Sequence, residues 1–242
     1  MKSGWRLLAA LLHICLGLLL CATAFPFWSE ARRMGCVQWW SQRMLRAIGV
    51  RLQAEGTPSG GVVLIAANHV SWIDIVAINA VRPSRFVSKA EVRRWPLIGW
   101  MASCGGTLFI ERERRRDALR VVHSIAEALS AGQTVAVFPE GTVGNGTDLL
   151  PFHANLLQAA LTTRTPVQPV ALKYTDASSA ASGKTSDAVA YDGDITLPQS
   201  AARVLRAQGL TVSLRFLPPI SGELERRGLA TELARTIRAA LN

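Results

Sequence analysis

The stretch Asn68-His69-Val70-Ser71-Trp72-Ile73-Asp74 has the residue types and spacing for proton-transfer chemistry. It falls between a short apolar run, Val62–Ala66, and a helical pattern, Ile73–Val81. If the helix begins near Ser71, His69 lies just before it and Asp74 in its first turn, so imidazole and carboxylate can meet. Asp74 would then fix the tautomer of His69 and support its charged form. An imidazole held in this way can take a proton from a hydroxyl. The same residues carry a plainer reading. Ser71-x-x-Asp74 is also a capping-box pattern, with His69 an ordinary polar residue at a strand end.

Two further stretches offer groups for an anion. Phe138-Pro139-Glu140-Gly141-Thr142 follows another short apolar run. Pro139 and Gly141 shape a tight turn there, and Thr142 offers a hydroxyl beside backbone N–H groups. Taken alone, this stretch reads first as a surface turn. Lys89-Ala90-Glu91 precedes Pro96-Leu97-Ile98-Gly99, and Gly106-Thr107-Leu108-Phe109-Ile110-Glu111-Arg112 follows. A strand over Thr107–Ile110 would deliver Arg112 at its end as a phosphate clamp. Arg114, Arg115 and Arg116 form a solvated face or a docking patch for an acidic carrier.

The elements that must position these residues alternate. Strands are expected at Val62–Ala66, Arg85–Ser88, Thr107–Ile110, Thr134–Phe138, Val167–Leu172 and Val212–Phe216. Helices are expected at Ile73–Val81, Asp117–Ala131, Asn155–Leu161, Ser200–Ala207 and through Leu229, Leu233, Ile237 and Leu241. This alternation predicts an α/β domain with a largely covered sheet. Asp176–Ala190, rich in Ser and Ala, reads as a mobile loop.

The first 49 residues differ. Leu7 to Phe27 is a 21-residue apolar run preceded by Lys2 and Arg6. As a helix it would reach roughly 30 Å, about one hydrocarbon core. Ala22-Thr23-Ala24 would suit a signal-peptide cleavage site. The segment that follows argues instead for a retained anchor. Met34, Val37, Met44, Leu45 and Ile48 recur at helical spacing among Trp39, Trp40 and four Arg (Arg32, Arg33, Arg43 and Arg46). A basic, Trp-bearing amphipathic helix of this type lies in a membrane interface. Basic residues flank the apolar run on both sides, so a full span and a segment that dips in and returns are both open. A helix pair packed on the soluble domain is the third possibility.

Composition narrows the class. With 242 residues, 49% apolar and 18% charged, the chain is neither disordered nor a multi-span membrane protein. Its formal charge is +10, and all but four of its 27 basic residues are Arg, so it is drawn to something anionic. The four Cys form no C-x-x-C pair, which points to a reduced, cytosol-facing protein without a zinc site. A serine hydrolase would need G-x-S-x-G, which the sequence lacks. No recognised nucleic-acid-binding motif accompanies the positive charge.

In their order, these blocks resemble the glycerolipid acyltransferases of the lysophosphatidic acid acyltransferase type. That family's N-H-x-x-x-x-D block matches Asn68, His69 and Asp74. Its Gly followed by F-I-x-R matches Gly106, Phe109, Ile110 and Arg112. Its F-P-E-G-T block matches Phe138 to Thr142, and its V-x-P-V block matches Val167 to Val170. The likeness covers about residues 50–220. It implies a glycerolipid acyltransferase-like α/β domain at 50–242, behind membrane-anchoring helices at 1–49. It also implies a partner lipid in the inner (cytoplasmic) membrane and an active site facing the cytoplasm. His69 would be the base on a free lysolipid hydroxyl, oriented by Asp74. The co-substrate would be acyl-carrier protein or acyl-CoA, with no metal, no other cofactor, no acyl-enzyme and no nucleic-acid partner. Asn68, Lys89, Arg112, Glu140, Gly141 and Thr142 would serve substrate binding. One departure stands out. The family places Arg directly after the Thr as a phosphate ligand, whereas this chain has Val143. In this the sequence is similar to the branch that includes lyso-ornithine lipid acyltransferases, whose acceptor has no phosphate. The expected acceptor is 1-acyl-glycerol-3-phosphate, with lyso-ornithine lipid as the alternative. A non-catalytic basic membrane-binding protein is the reading outside enzymes.

Overall fold

The computed structural model describes residues 2–110, 115–179, 184–191, 195–221 and 224–241. Arg112 and Arg114 lie outside them. The described residues contain strands β1 (Arg51–Glu55), β2 (Leu64–Ala67), β3 (Arg85–Lys89), β4 (Leu108–Ile110), β5 (Val135–Val137), β6 (Val167–Thr175) and β7 (Thr211–Phe216). They form one sheet in the order β1-β7-β6-β2-β5-β3-β4. Neighbours pair in parallel from β6 through β2, β5 and β3 to β4. β7 reverses direction against β6, and β1 runs with β7. The carboxyl ends of β2, β3, β4 and β5 therefore meet at one end of the sheet, the end at which open α/β sheets bind ligands.

The pleat sorts side chains into two cores. Ile65, Ala67 and Ala136 point to one face, where α2 (Glu30–Ile48) and α3 (Ile73–Val81) pack. Leu64, Ala66, Val135 and Val137 point to the other, under α6 (Arg115–Ser130), α7 (Gln158–Thr163) and α9 (Arg226–Leu241). The expected α/β layering is present, and α3 has the predicted limits. β1 was not expected. Its sequence Arg-Leu-Gln-Ala-Glu is mostly exposed, and it owes its existence to the ladder with β7. The short α4 (Ala90–Arg93) and α5 (Ile98–Cys104) were also not expected. The segment read as a mobile loop is instead tied down on both sides of 180–183. The Asp176 carboxylate accepts from the Ser178 and Ser179 N–H groups and the Ser186 hydroxyl, and Val189 is buried.

At the N-terminus, α1 (Lys2–Thr23) is, among the described residues, the one helix long and apolar enough to cross a membrane. A short turn leads into α2, which starts at the Ser29 cap and stops at Gly49, held at φ 80°. The apolar stripe of α2 is directed at protein. Met44, Leu45 and Ile48 join the core, while Gln38 and Gln42 donate to the last carbonyls of α3. α1 lies on this layer: Ala10 is buried in the same core, and His13 and Trp40 exchange side chain-to-backbone hydrogen bonds. Its other face exposes Trp5, Leu8, Leu12 and Leu19.

Candidate active site

His69 follows the carboxyl end of β2, and Asp74 is the second residue of α3. The step between them brings His69 Nδ1 to 2.8 Å from Asp74 Oδ2. The same oxygen accepts the N–H groups of Val70, at 2.7 Å, and Ser71, at 2.9 Å. Asp74 Oδ1 accepts the Tyr174 hydroxyl at 2.6 Å. Asp74 and Tyr174 are fully buried. With the Val70 and Ser71 N–H groups and the Tyr174 hydroxyl all donating to this carboxylate, its oxygens act as acceptors and the His69 bond is made by Nδ1–H. The lone pair is thereby left on Nε2, in a ring that is 18% exposed. Burial and the Asp74 charge push the Tyr174 phenol well above its ordinary range, which keeps it a donor.

Both readings of this block therefore hold in part. Asp74 ties its carboxylate to the Val70 and Ser71 N–H groups ahead of α3, whose N-cap Trp72 has no side-chain cap bond. The Ser71 hydroxyl does not complete a capping box: it is buried without a hydrogen-bond partner among the described residues. The same carboxylate grips the imidazole.

The Phe138–Thr142 turn closes on the dyad. The His69 ring stacks on Phe138 with centroids 3.9 Å apart, and Phe138 stacks on Phe86. Glu140 is buried, and its two oxygens are occupied. Oε1 accepts the His69 N–H at 2.8 Å and Oε2 the Leu150 N–H at 2.9 Å. Burial pushes its carboxyl up, against the pull of these two bonds. The Gly144 N–H donates to the His69 carbonyl at 2.7 Å, so the two loops interlock. Gly141, at φ 73°, donates its N–H to the Phe138 carbonyl and closes the turn. Thr142 is exposed and Val143 half-buried beside it.

The other expected residues are distributed as follows. Asn68 is buried, with its amide bonded in both directions to the Leu172 backbone at 2.9 and 2.8 Å. It extends the β2–β6 ladder by side chain. Lys89 ends β3, exposed, and is paired in register with Ile110 of β4. Lys89, Ile110, His69 and the Phe138 turn thus share the carboxyl end of the sheet. Tyr174 was missed at the sequence level. β6 was expected to end at Leu172, and pairing with β7 carries it to Thr175.

The family model for acyltransferases matches residues 49–173. The lyso-ornithine lipid O-acyltransferase of Pseudomonas aeruginosa is 37% identical over 210 residues, covering 86% of this chain and 79% of the relative. The 1-acyl-sn-glycerol-3-phosphate acyltransferase of Neisseria gonorrhoeae is 38% identical over 186 residues, covering 76% of this chain and 70% of the relative. In fold, the chain is similar to the 1-acyl-sn-glycerophosphate acyltransferase PlsC of Thermotoga maritima. The TM-score is 0.71 at 18% identity, covering 100% of this chain and 96% of that one. Its blocks, its sheet and these relatives agree: the chain belongs to the acyltransferase family and is an acyltransferase.

Proposed function

We propose that this enzyme, associated with the cytoplasmic face of the inner membrane, moves a fatty acyl group from the thioester of acyl-carrier protein or acyl-CoA to the free hydroxyl of a lysolipid. The observation that carries this reading is the set of four donors on Asp74, which leaves His69 Nε2 as a basic lone pair at the carboxyl end of the sheet. Nε2 takes the hydroxyl proton as the oxygen attacks the thioester carbonyl. The new C–O ester bond forms, the C–S bond breaks, and the proton passes to the departing sulfur. Asp74 stabilises the imidazolium in between. No acyl-enzyme, metal or further cofactor enters this sequence of steps.

Lys89, Arg112, Gly141 and Thr142 are assigned to the acceptor head group. Asn68 and Glu140 are assigned a positioning role, because their polar atoms are spent on backbone. The acceptor is 1-acyl-glycerol-3-phosphate, held by Lys89 and Arg112. One observation favours lyso-ornithine lipid instead: Val143 stands where the family pattern has a phosphate-binding Arg. A charge-assisted hydrogen bond is worth about 1.5–3 kcal/mol, or roughly ten- to a hundredfold in affinity. Both acceptors should be assayed with labelled acyl donor in wild type and Val143→Arg, with products read by mass spectrometry. Val143→Arg should raise kcat/KM for the phosphate acceptor and leave lyso-ornithine lipid nearly unchanged. An unchanged ratio would mean that position 143 does not face the head group. Turnover of neither acceptor, nor of any lysolipid in a panel, would overturn the lysolipid reading.

A further inference from the structure

The chain between Lys89 and β4 presents an apolar surface that the chemistry above does not use. Arg93, Arg94, Trp95, Pro96, Leu97, Ile98 and Trp100 are all exposed. Leu97 is 57% exposed, Ile98 and Trp100 are each 44%, and Trp95 is 39%. This surface is built. The Trp95 carbonyl accepts the Gly99 N–H at 2.9 Å, and the Leu97 carbonyl accepts the Met101 N–H at 2.9 Å. A Cβ on Gly99 would lie 2.3 Å from the Arg93 carbonyl oxygen, so the α4–α5 turn closes tightly only with glycine there.

Its position is also fixed. α4 begins directly after Lys89, at the end of the sheet that carries His69. α5 leans on α1: a Cβ on Gly17 would lie 2.7 Å from Met101 Cε and from Trp40 Nε1. The hairpin is therefore fastened to the protein-facing side of α1, the helix whose other side exposes Trp5, Leu8, Leu12 and Leu19.

We propose that the α4–α5 hairpin is a second lipid-contacting element. Trp95, Leu97, Ile98 and Trp100 enter the surface of an anionic bilayer, Arg93 and Arg94 pair with its head groups, and the mouth of the active site is held at head-group depth. Indoles and aliphatic chains rimmed by Arg suit the interface of an anionic membrane. Four exposed apolar side chains beside two Arg, on an element packed against the membrane-length helix α1, favour lipid over an acidic protein, which would leave that apolar area unmatched. The inference rests on the reading of α1 as lipid-facing.

The test is partitioning of full-length protein onto vesicles of phosphatidylethanolamine and phosphatidylglycerol, without substrate, so that failure of the acyl-transfer reading leaves the result intact. Leu97→Asp/Ile98→Asp should weaken partitioning about tenfold or more. Arg93→Glu/Arg94→Glu should flatten its dependence on the phosphatidylglycerol fraction. Circular dichroism checks the fold, and Leu12→Asp serves as the α1 reference. If Leu12→Asp releases the protein while the hairpin double variant binds like wild type, the proposal is overturned. Unchanged partitioning together with lost turnover from acyl-carrier protein would make the hairpin a carrier-docking site, which also overturns it. Wild type that fails to bind vesicles removes both the α1 reading and the hairpin proposal.

Discussion

A carboxylate that accepts four hydrogen bonds does more than orient one imidazole. Three donors besides His69 fix the position of the Asp74 carboxylate. In Tyr174→Phe, Asp74 Oδ1 loses its hydroxyl partner and remains buried. The carboxylate that aligns His69 is then held by one bond fewer. The variant should therefore lower kcat/KM, with a loss of stability of about 1–3 kcal/mol seen in denaturant titration. A variant that loses stability but keeps the wild-type kcat/KM would reduce Tyr174 to packing. His69→Ala should cost about 10²–10⁴ in rate while the protein stays folded, and near-normal turnover would remove His69 as the base. The dyad itself is legible in the sequence, because a helix start four or five residues after a histidine dictates the meeting. Tyr174 is not, because only the strand order brings a residue of β6 next to the first turn of α3. Nor does the sequence say that Glu140 and Asn68 spend their polar atoms on backbone. F-P-E-G-T and N-H present them as side chains near a ligand, and only the interlocked loops turn them inward.

Among the elements, those with long apolar runs or sustained periodicity are readable from sequence. β2, β5 and α3 are examples, and each is buried enough to write its pattern into the residue types. β1 fails this test because an exposed edge strand has no buried face to record. α4 and α5 fail because four and seven residues are too short for a helical period. The segment after β6 fails for a different reason. Its Ser-rich composition signals a loop, yet those hydroxyls supply the bonds that hold it. Burial works against the charged form of Asp176, but the Ser178 and Ser186 hydroxyls and the Ser178 and Ser179 N–H groups keep its carboxyl well below the usual range. A carboxyl lowered by folding contributes stability above its unfolded value, about 3.9, and loses it as pH falls through that value toward the folded one. Thr185 donates to the Gly146 carbonyl, so this segment also braces the loop that follows the F-P-E-G-T turn. Below about pH 4, amide protection around residues 184–190 should fall ahead of global unfolding. Asp176→Asn should cost about 1 kcal/mol at neutral pH and remove that acid-sensitive step. Hydrogen exchange at both pH values measures it, and equal protection in wild type across the window would dismiss the device.

For the whole molecule, the decisive contacts are at the two ends of the α1–α2 pair. Near the start of α1, Arg6 donates to the carbonyls of Leu205 and Ala207, where α8 (Leu197–Arg206) ends just before β7 begins. That is the His69 end of the sheet, because β7 runs against β6. At the start of α2, Glu30 pairs with Arg85 at 3.3 Å and accepts from Gln133 at 2.7 Å, where β3 and β5 begin, at the opposite end. The helix pair is thus fastened across the full depth of the α/β domain. α1, at 22 residues and about 33 Å, has the length to cross a bilayer. A crossing helix, however, would carry the turn around Ser29 to the far side and break the Glu30 contacts, or else draw the polar sheet ends into hydrocarbon. Lying in one leaflet breaks nothing. It puts Trp5, Leu8, Leu12 and Leu19 into lipid and leaves Ala10 in the core. On the proposed function, it would also bring a lipid acceptor to His69 from the side and leave the opposite approach to a soluble thioester donor. The orientation can be read directly from Ser29→Cys. A membrane-impermeant thiol reagent should leave this residue unmodified in intact spheroplasts and label it after permeabilisation, with peptide mass spectrometry separating it from Cys15, Cys21 and Cys36. Labelling at position 29 before permeabilisation would mean that α1 spans the membrane, and the contacts of Arg6 and Glu30 could not then both persist.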